Sequence, residues 1–310
     1  MPSRGKILVI RGGAIGDFIL TLPVFSALRQ QFPEAHLEVL GYPHIANLAL
    51  AGKLVEQVRS IEARPLAGFF ARGGNLSEEL REYFSSFDII ISYLYDPDKI
   101  FQTNVALHSK AQFIAGSHRP DENLKLHATK VFLQPLERLA IFDADPIPKF
   151  SLDSQPTTLN SLALHPGSGS ERKNWPETKW SSLIAQILEK TSFNLLLIGG
   201  EAEGARLKRL SANLPDERVK LAENLSLVDL AARLESSAAF IGHDSGISHL
   251  AAALNLPGLI LWGETIAEIW RPPNSRFKII RHPEGLARLS VKQVIQEVKN
   301  LSAEKRLTRL

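Results

Sequence analysis

The chain of 310 residues has no cysteine, which excludes disulfides and thiolate chemistry and suits a reducing compartment. No apolar run approaches the roughly 20 residues of a membrane-spanning helix. The first residues lead straight into the apolar run Lys6-Ile-Leu-Val-Ile10, without a charged-then-apolar leader ending at a small-residue cleavage site. His-Glu-x-x-His is missing, and Asp96-Pro-Asp98, an acidic pair interrupted by proline, reads as a turn. Low-complexity tracts and short-period repeats are also missing. Charge is nearly balanced, at a formal +3 with a pI near 9.0. The expectation is a cytoplasmic globular protein with no metal, no cofactor and no nucleic-acid partner. Much of the small basic excess lies between Arg276 and Arg309. Such a tail is either a solvated helix face or a contact for an anionic membrane surface, here the inner face of the cytoplasmic membrane.

At this length two cores of about 150 residues each are expected. Short apolar runs at 6–10, 37–40, 57–61, 89–93 and 112–115 alternate with helical patterns, beginning with a helix over 18–31. A second series has strands near 162–165, 194–198, 218–221, 239–241 and 259–262, with a helix from Trp180 to Leu188. Alternation of this kind predicts an α/β fold, with parallel sheets covered by helices on both faces. Between the series, Asp143-Ala-Asp-Pro-Ile-Pro-Lys149 and Asp153-Ser-Gln-Pro-Thr-Thr158 read as an interdomain connection. The predicted domains are 1–150 and 158–285, followed by a C-terminal helix and tail over 286–310. Ser290 and Gln293 form a capping box at the start of that helix.

Three strand-to-helix corners carry the chemistry. The most informative is Ala239-Phe-Ile-Gly-His-Asp-Ser-Gly-Ile-Ser-His-Leu250, where a buried strand runs through a polar turn into a helix. Asp244 and Ser245 stand where an N-cap belongs, and Gly246 admits close approach of a ligand to the backbone. A helix start carries unpaired N–H groups and about half a positive charge, so it attracts phosphate. The bland alternative is that Asp244 only caps the helix and His249 only packs beneath it. The other corners are Arg11-Gly-Gly-Ala-Ile-Gly-Asp17 and His165-Pro-Gly-Ser-Gly-Ser-Glu-Arg-Lys-Asn-Trp-Pro176. Three such corners point to a cleft that holds an anionic ligand.

Four blocks together resemble glycosyltransferase family 9, the ADP-heptose:lipopolysaccharide heptosyltransferases. They are Ile7 through Pro23, His165-Pro-Gly-Ser-Gly169, Lys173-Asn-Trp-Pro176 and His243-Asp-Ser-Gly-Ile-Ser-His-Leu250, with a weaker echo in Ser226 through Leu234. Their order matches over nearly the whole chain. The resemblance implies the GT-B architecture, two Rossmann-like domains facing a central cleft. The N-terminal domain would face the acceptor and the C-terminal domain would hold a nucleoside-diphosphate sugar, ADP-linked. It further implies an inverting, metal-independent transfer of a sugar, heptose from ADP-heptose, to an anionic glycolipid or glycan such as a lipopolysaccharide core. Two departures bear on sugar and acceptor: Glu264 stands after Trp262-Gly263 where similar proteins often have proline, and Tyr93-Leu-Tyr-Asp-Pro97 replaces the usual ending of its strand.

The resemblance places the family's catalytic base at Asp17, which an inverting transfer needs to take the acceptor hydroxyl's proton. The alternative is that Asp17 caps a helix beginning at Phe18; the order of the motifs favours the base, and a cap can also be a base. Lys173 matches the family's phosphate-binding lysine; a solvated lysine is the alternative, and Arg172 or Lys179 could substitute for it. Ser168, Gly169 and Ser170 offer further donors for phosphate, as do Ser245 and Gly246. Asp244 would orient that turn or reach a sugar hydroxyl, and His249 would lock it or touch the ligand. His165 and His243 read as structural. Glu223 and Asn224 end a strand where ribose and base would lie, and Arg119 in Gly116-Ser-His-Arg-Pro120 could meet an anionic acceptor or simply be solvated.

Three other functions compete. A GT-B sugar-nucleotide epimerase or hydrolase shares an Asp-Ser-Gly-type helix start and needs no acceptor. An NAD-dependent oxidoreductase is disfavoured because Gly12, Gly13 and Gly16 do not form Gly-x-Gly-x-x-Gly, and Glu38 lies within its strand. A nucleotide-binding protein without turnover is the third.

Overall fold

The computed structural model describes residues 4–74, 77–152 and 160–307. The chain divides into two units, Met1–Phe150 and Ser151–Leu310. Of the stretches singled out in the sequence, Asp153 to Thr158 and Arg309 lie outside the described residues.

The first unit holds five strands: β1 (Lys6–Arg11), β2 (His36–Gly41), β3 (Gln57–Ser60), β4 (Ile89–Ser92) and β5 (Gln112–Ala115). All ladders are parallel, in the order β3-β2-β1-β4-β5. The second unit holds β6 (Ser161–Leu164), β7 (Asn194–Gly199), β8 (Val219–Glu223), β9 (Ala239–His243), β10 (Gly258–Leu261) and β11 (Phe277–Ile280). These too are all parallel, in the order β11-β10-β9-β6-β7-β8. β1, β6, β9 and β10 are almost wholly buried, which explains why they read as unbroken apolar runs. β11 was not anticipated. It is a half-buried edge strand interrupted by Lys278, so it leaves no apolar run to find.

Two helix starts also differ from expectation. In place of one helix over 18–31 there are two, Ile15–Ile19 and Leu22–Gln31. Thr21 stands at the N-cap position of the second, but its hydroxyl turns back to donate to the Asp17 carbonyl at 2.8 Å. Pro23, with no N–H to give, lies in the second helix's first turn, where the missing donor costs nothing. In the second unit the helix starts at Glu177, directly after Pro176, rather than at Trp180. The final helix, Val291–Leu307, follows the expected capping box: Gln293 N–H donates to Ser290 Oγ at 3.3 Å, and Ser290 N–H to Gln293 Oε1 at 3.0 Å. Its Val294 and Val298 join the core built by Leu164, Trp180, Ile187 and Leu197.

Each sheet reverses its strand order once, between β1 and β4 in the first unit and between β6 and β9 in the second. The chain leaves such neighbouring strands toward opposite faces, which opens a crevice beyond their carboxyl ends, the place where open α/β sheets bind ligands. In the first unit the residue after β4, at this reversal, is Tyr93. Tyr93 is buried and its hydroxyl donates to the Phe132 carbonyl at 2.5 Å. Burial raises its pKa above the usual phenol range, so it stays a neutral donor. Tyr93→Phe leaves that buried carbonyl without its donor and should destabilise the first unit by about 1–3 kcal/mol, seen as an earlier midpoint in urea unfolding.

Candidate functional site

In the first unit Asp17 is neither the N-cap nor outside the helix. It is the third residue of Ile15–Ile19, and its Oδ2 reaches back to accept the N–H of Ala14 at 3.1 Å. The carboxylate is part-exposed, and its other oxygen lies 3.9 Å from Arg11 Nη2. Arg11, the last residue of β1, is buried, with its guanidinium 4.4 Å from the Phe132 ring centroid and 5.6 Å from that of Tyr93. It donates to the carbonyls of His118 at 3.0 Å and Asp17 at 3.3 Å. Burial lowers its pKa, and the charge of Asp17 opposes that shift. The result is a carboxylate open to solvent on one side and backed by a buried cation on the other. Arg119, next to His118, is exposed and pairs with Glu122 at 2.7 Å. Glu38 is buried in β2 and accepts the Tyr83 hydroxyl at 2.6 Å, so it is not at a strand end where a dinucleotide's ribose would meet it.

In the second unit the β6 and β9 corners are joined by histidine. His243 is fully buried between them. Trp175 N–H donates to its Nε2 at 2.9 Å, so Nδ1 carries the proton and faces the Gly167 carbonyl at 3.2 Å. Burial lowers its pKa to about 3, which keeps the ring neutral and this tautomer fixed. His165, also buried, has its pKa lowered to about 4 for the same reason, and its Nδ1 lies 3.3 Å from Ser245 Oγ. Gly167 is required by its neighbour: a Cβ there would fall 2.0 Å from Glu203 Cγ. Gly169 has φ +69, a conformation that side chains rarely adopt.

The glycine–serine turn spends several of its own donors. Gly169 N–H donates to the buried carboxylate of Glu203 at 3.2 Å, and Ser168 Oγ lies 2.7 Å from Asn174 Oδ1. Ser170 precedes the single turn Glu171–Lys173. From that turn the Lys173 ammonium reaches Asp244 Oδ2 at 2.6 Å. Asp244 therefore does not cap the helix. Ser245 does, accepting Ser248 N–H at 3.4 Å, and the helix runs Gly246–Ala253 with His249 buried inside it. The N–H groups of Gly246 and Ile247 belong to the first turn, which has no intrahelical acceptor for them. Lys179 is turned away, donating to the carbonyls of Ala287 and Leu289 at 2.6 and 2.8 Å, and Arg172 is exposed. Glu223 ends the edge strand β8, two strands from β6, and Asn224 follows it at φ +54. The sequence reading missed Arg11, Glu203 and Thr265; the last donates to Asp244 Oδ2 at 2.7 Å. Arg11 opened one of the three corners but was given no role there, and Glu203 left a trace as an acidic residue after Gly199-Gly200 at a helix start.

A lysine ammonium, a carboxylate that steadies it and an open helix start at one strand-order reversal can receive an oxyanion. Among the described residues no group of three His, Asp or Glu side chains is placed to hold a metal ion. No helix among them is long and apolar enough to cross a membrane. Two parallel α/β units of this kind match the GT-B architecture of solved heptosyltransferases. The chain belongs to glycosyltransferase family 9 (heptosyltransferase), whose profile matches residues 137–298, and it is a glycosyltransferase. It is 23% identical over 302 residues or more to curated relatives such as lipooligosaccharide heptosyltransferase 2 of Haemophilus influenzae, where the match spans 321 positions, 90% of this chain and 89% of the relative. A family 9 glycosyltransferase from Veillonella parvula superposes with a TM-score of 0.80 at 17% identity, covering 97% of each chain. ADP-heptose lipopolysaccharide heptosyltransferase II of Escherichia coli superposes at 0.77, again at 17% identity, over 97% of this chain and 99% of that one. At such identities the structural likeness is one of fold.

The two buried histidines make stability depend on pH. Their folded pKa values lie below the ordinary 6.5, so the unfolded chain binds protons that the native chain refuses. Their contribution is complete above about pH 6.5 and is lost as pH falls toward 4 and then 3, at up to about 1.4 kcal/mol per pH unit for each ring. Urea unfolding at pH 7 and pH 5 should show this loss. His243→Gln should be less stable at pH 7 and should lose less than the parent between the two pH values.

Proposed function

We propose that this chain moves heptose from ADP-heptose to a lipopolysaccharide-core or similar anionic glycan acceptor, with inversion at the anomeric carbon and without a metal ion. Family membership supports the sugar, and the solved relative named for ADP-heptose supports the donor. The single observation that carries the reading is the Lys173–Asp244 pair beside the helix start at Ser245 and Gly246. As the bond from the anomeric carbon to the diphosphate breaks, negative charge gathers on the leaving oxygen. The Lys173 ammonium, the N–H groups of the helix start and the donors that the Ser168–Ser170 turn has not spent on Glu203 and Asn174 stabilise it there. Asp17, held by Ala14 N–H and backed by Arg11, takes the proton of the acceptor hydroxyl as its oxygen bonds to the anomeric carbon. One displacement inverts that centre, and the leaving group departs as ADP. Glu223 and Asn224 would meet the nucleoside, and the exposed Arg119 an anionic group of the acceptor. His249 lies beneath the helix start and shapes it from inside. With a glycolipid acceptor the enzyme works in the cytoplasm at the inner membrane surface, the basic C-terminal stretch favouring the anionic leaflet.

Asp17→Asn should leave ADP affinity unchanged and lower kcat by about two orders of magnitude or more. Near-normal kcat in the folded variant would remove Asp17 from the base position. Lys173→Ala should weaken ADP binding, measured by calorimetry, and also reduce kcat. Transfer should persist in excess EDTA, and product NMR should show the anomeric configuration opposite to the donor's. Loss of activity restored by Mg²⁺, or a retained configuration, would contradict the scheme.

A further inference from the structure

We propose that Thr265 is a positioning residue: its hydroxyl fixes Asp244, and through Asp244 the Lys173 ammonium, where a nucleoside diphosphate is received. This rests on the phosphate-site reading above. The three residues follow three neighbouring strands, Lys173 after β6, Asp244 after β9 and Thr265 after β10, and the sheet sets these side by side. Both outer partners meet one atom. Asp244 Oδ2 accepts from Lys173 Nζ at 2.6 Å and from Thr265 Oγ1 at 2.7 Å.

The need for a second donor follows from burial. Asp244 is 8% exposed, whereas the Lys173 side chain is 37% exposed and springs from a single turn, Glu171–Lys173, that does little to aim it. When a diphosphate draws the ammonium toward itself, the carboxylate would be left as a buried charge with its cation gone, an expensive state. The Thr265 hydroxyl stays on the same oxygen and keeps it satisfied. Without that hydroxyl, Asp244 has a stronger claim on Lys173 and a less defined orientation. Both effects weaken diphosphate binding.

The backbone around Thr265 is secured by something else. Its carbonyl accepts the indole N–H of the buried Trp262 at 2.8 Å, so the loop does not depend on the hydroxyl. The hydroxyl can therefore be removed by Thr265→Val, which keeps the β-branched shape, and restored by Thr265→Ser.

The test measures ADP affinity by calorimetry and donor KM for the parent, Thr265→Val, Thr265→Ala, Thr265→Ser, Lys173→Met and the Lys173→Met/Thr265→Val double variant. Thr265→Val and Thr265→Ala should each weaken ADP binding about fivefold and raise donor KM to match, the scale of a hydrogen bond to a charged group shared between two partners. Thr265→Ser should stay within about twofold of the parent. In the Lys173→Met background the valine should have no further effect, because the hydroxyl acts through the lysine. Parent-like ADP binding in both hydroxyl-free variants, or an equal loss in the Lys173→Met background, overturns the proposal and leaves the phosphate site standing. Parent-like ADP binding by Lys173→Met overturns both.

Discussion

The neutral imidazole of His243 is the contact on which the second unit's site depends. It lies at the end of β9 and holds both edges of the β6 corner, accepting from Trp175 N–H and donating to the Gly167 carbonyl. A charged ring could not do this, since Nε2 would then carry a proton where an acceptor is needed. Burial keeps the ring neutral, and the Trp180 ring packs edge-on against it at 5.4 Å. Thus the apolar core determines a protonation state, the protonation state determines the loop, and the loop delivers Lys173 to Asp244.

The first unit reaches a comparable result with opposite chemistry. There the residue at the end of the central strand is a buried cation. Arg11 lies over Phe132, ties down the carbonyls of His118 and Asp17, and leaves its charge within 3.9 Å of the Asp17 carboxylate. A planar guanidinium with several donors in fixed directions can bind two carbonyls and stack on a ring at once, which a lysine cannot. In each unit a residue that ends a buried strand fixes a corner of the site: in the first unit the corner after its own strand, in the second the corner after the neighbouring strand β6.

Much of the fold was legible because buried parallel strands are apolar on both faces, and β1, β4, β7 and β9 announce themselves that way. β11 did not, because an edge strand that is only half-buried can carry the exposed Lys278 without penalty. The early start at Ile15 and the break before Leu22 were hidden for a different reason. Ala14 is no capping residue; the first helix is capped by Asp17 reaching back from its third position, a pattern that local propensity does not single out. In the site, Lys173 and Asp244 could be named from the sequence, but not as partners, since 71 positions separate them. The contacts of Thr265 and Glu203 were not legible, because each acts on a loop brought near only by the order of strands in the sheet.

Lys278 has a consequence beyond the ladder in which it sits. It lies exposed in the middle of β11, one of the two outer strands of the six-stranded sheet, and pairs with Glu297 on the final helix at 2.6 Å. An outer strand offers a row of free N–H and C=O groups to any passing chain, and a flat apolar one invites stacking of one molecule on the next. A charge at its centre would have to be desolvated before a second strand could dock there. The feature that concealed β11 in the sequence is thus also a guard against edge-to-edge aggregation.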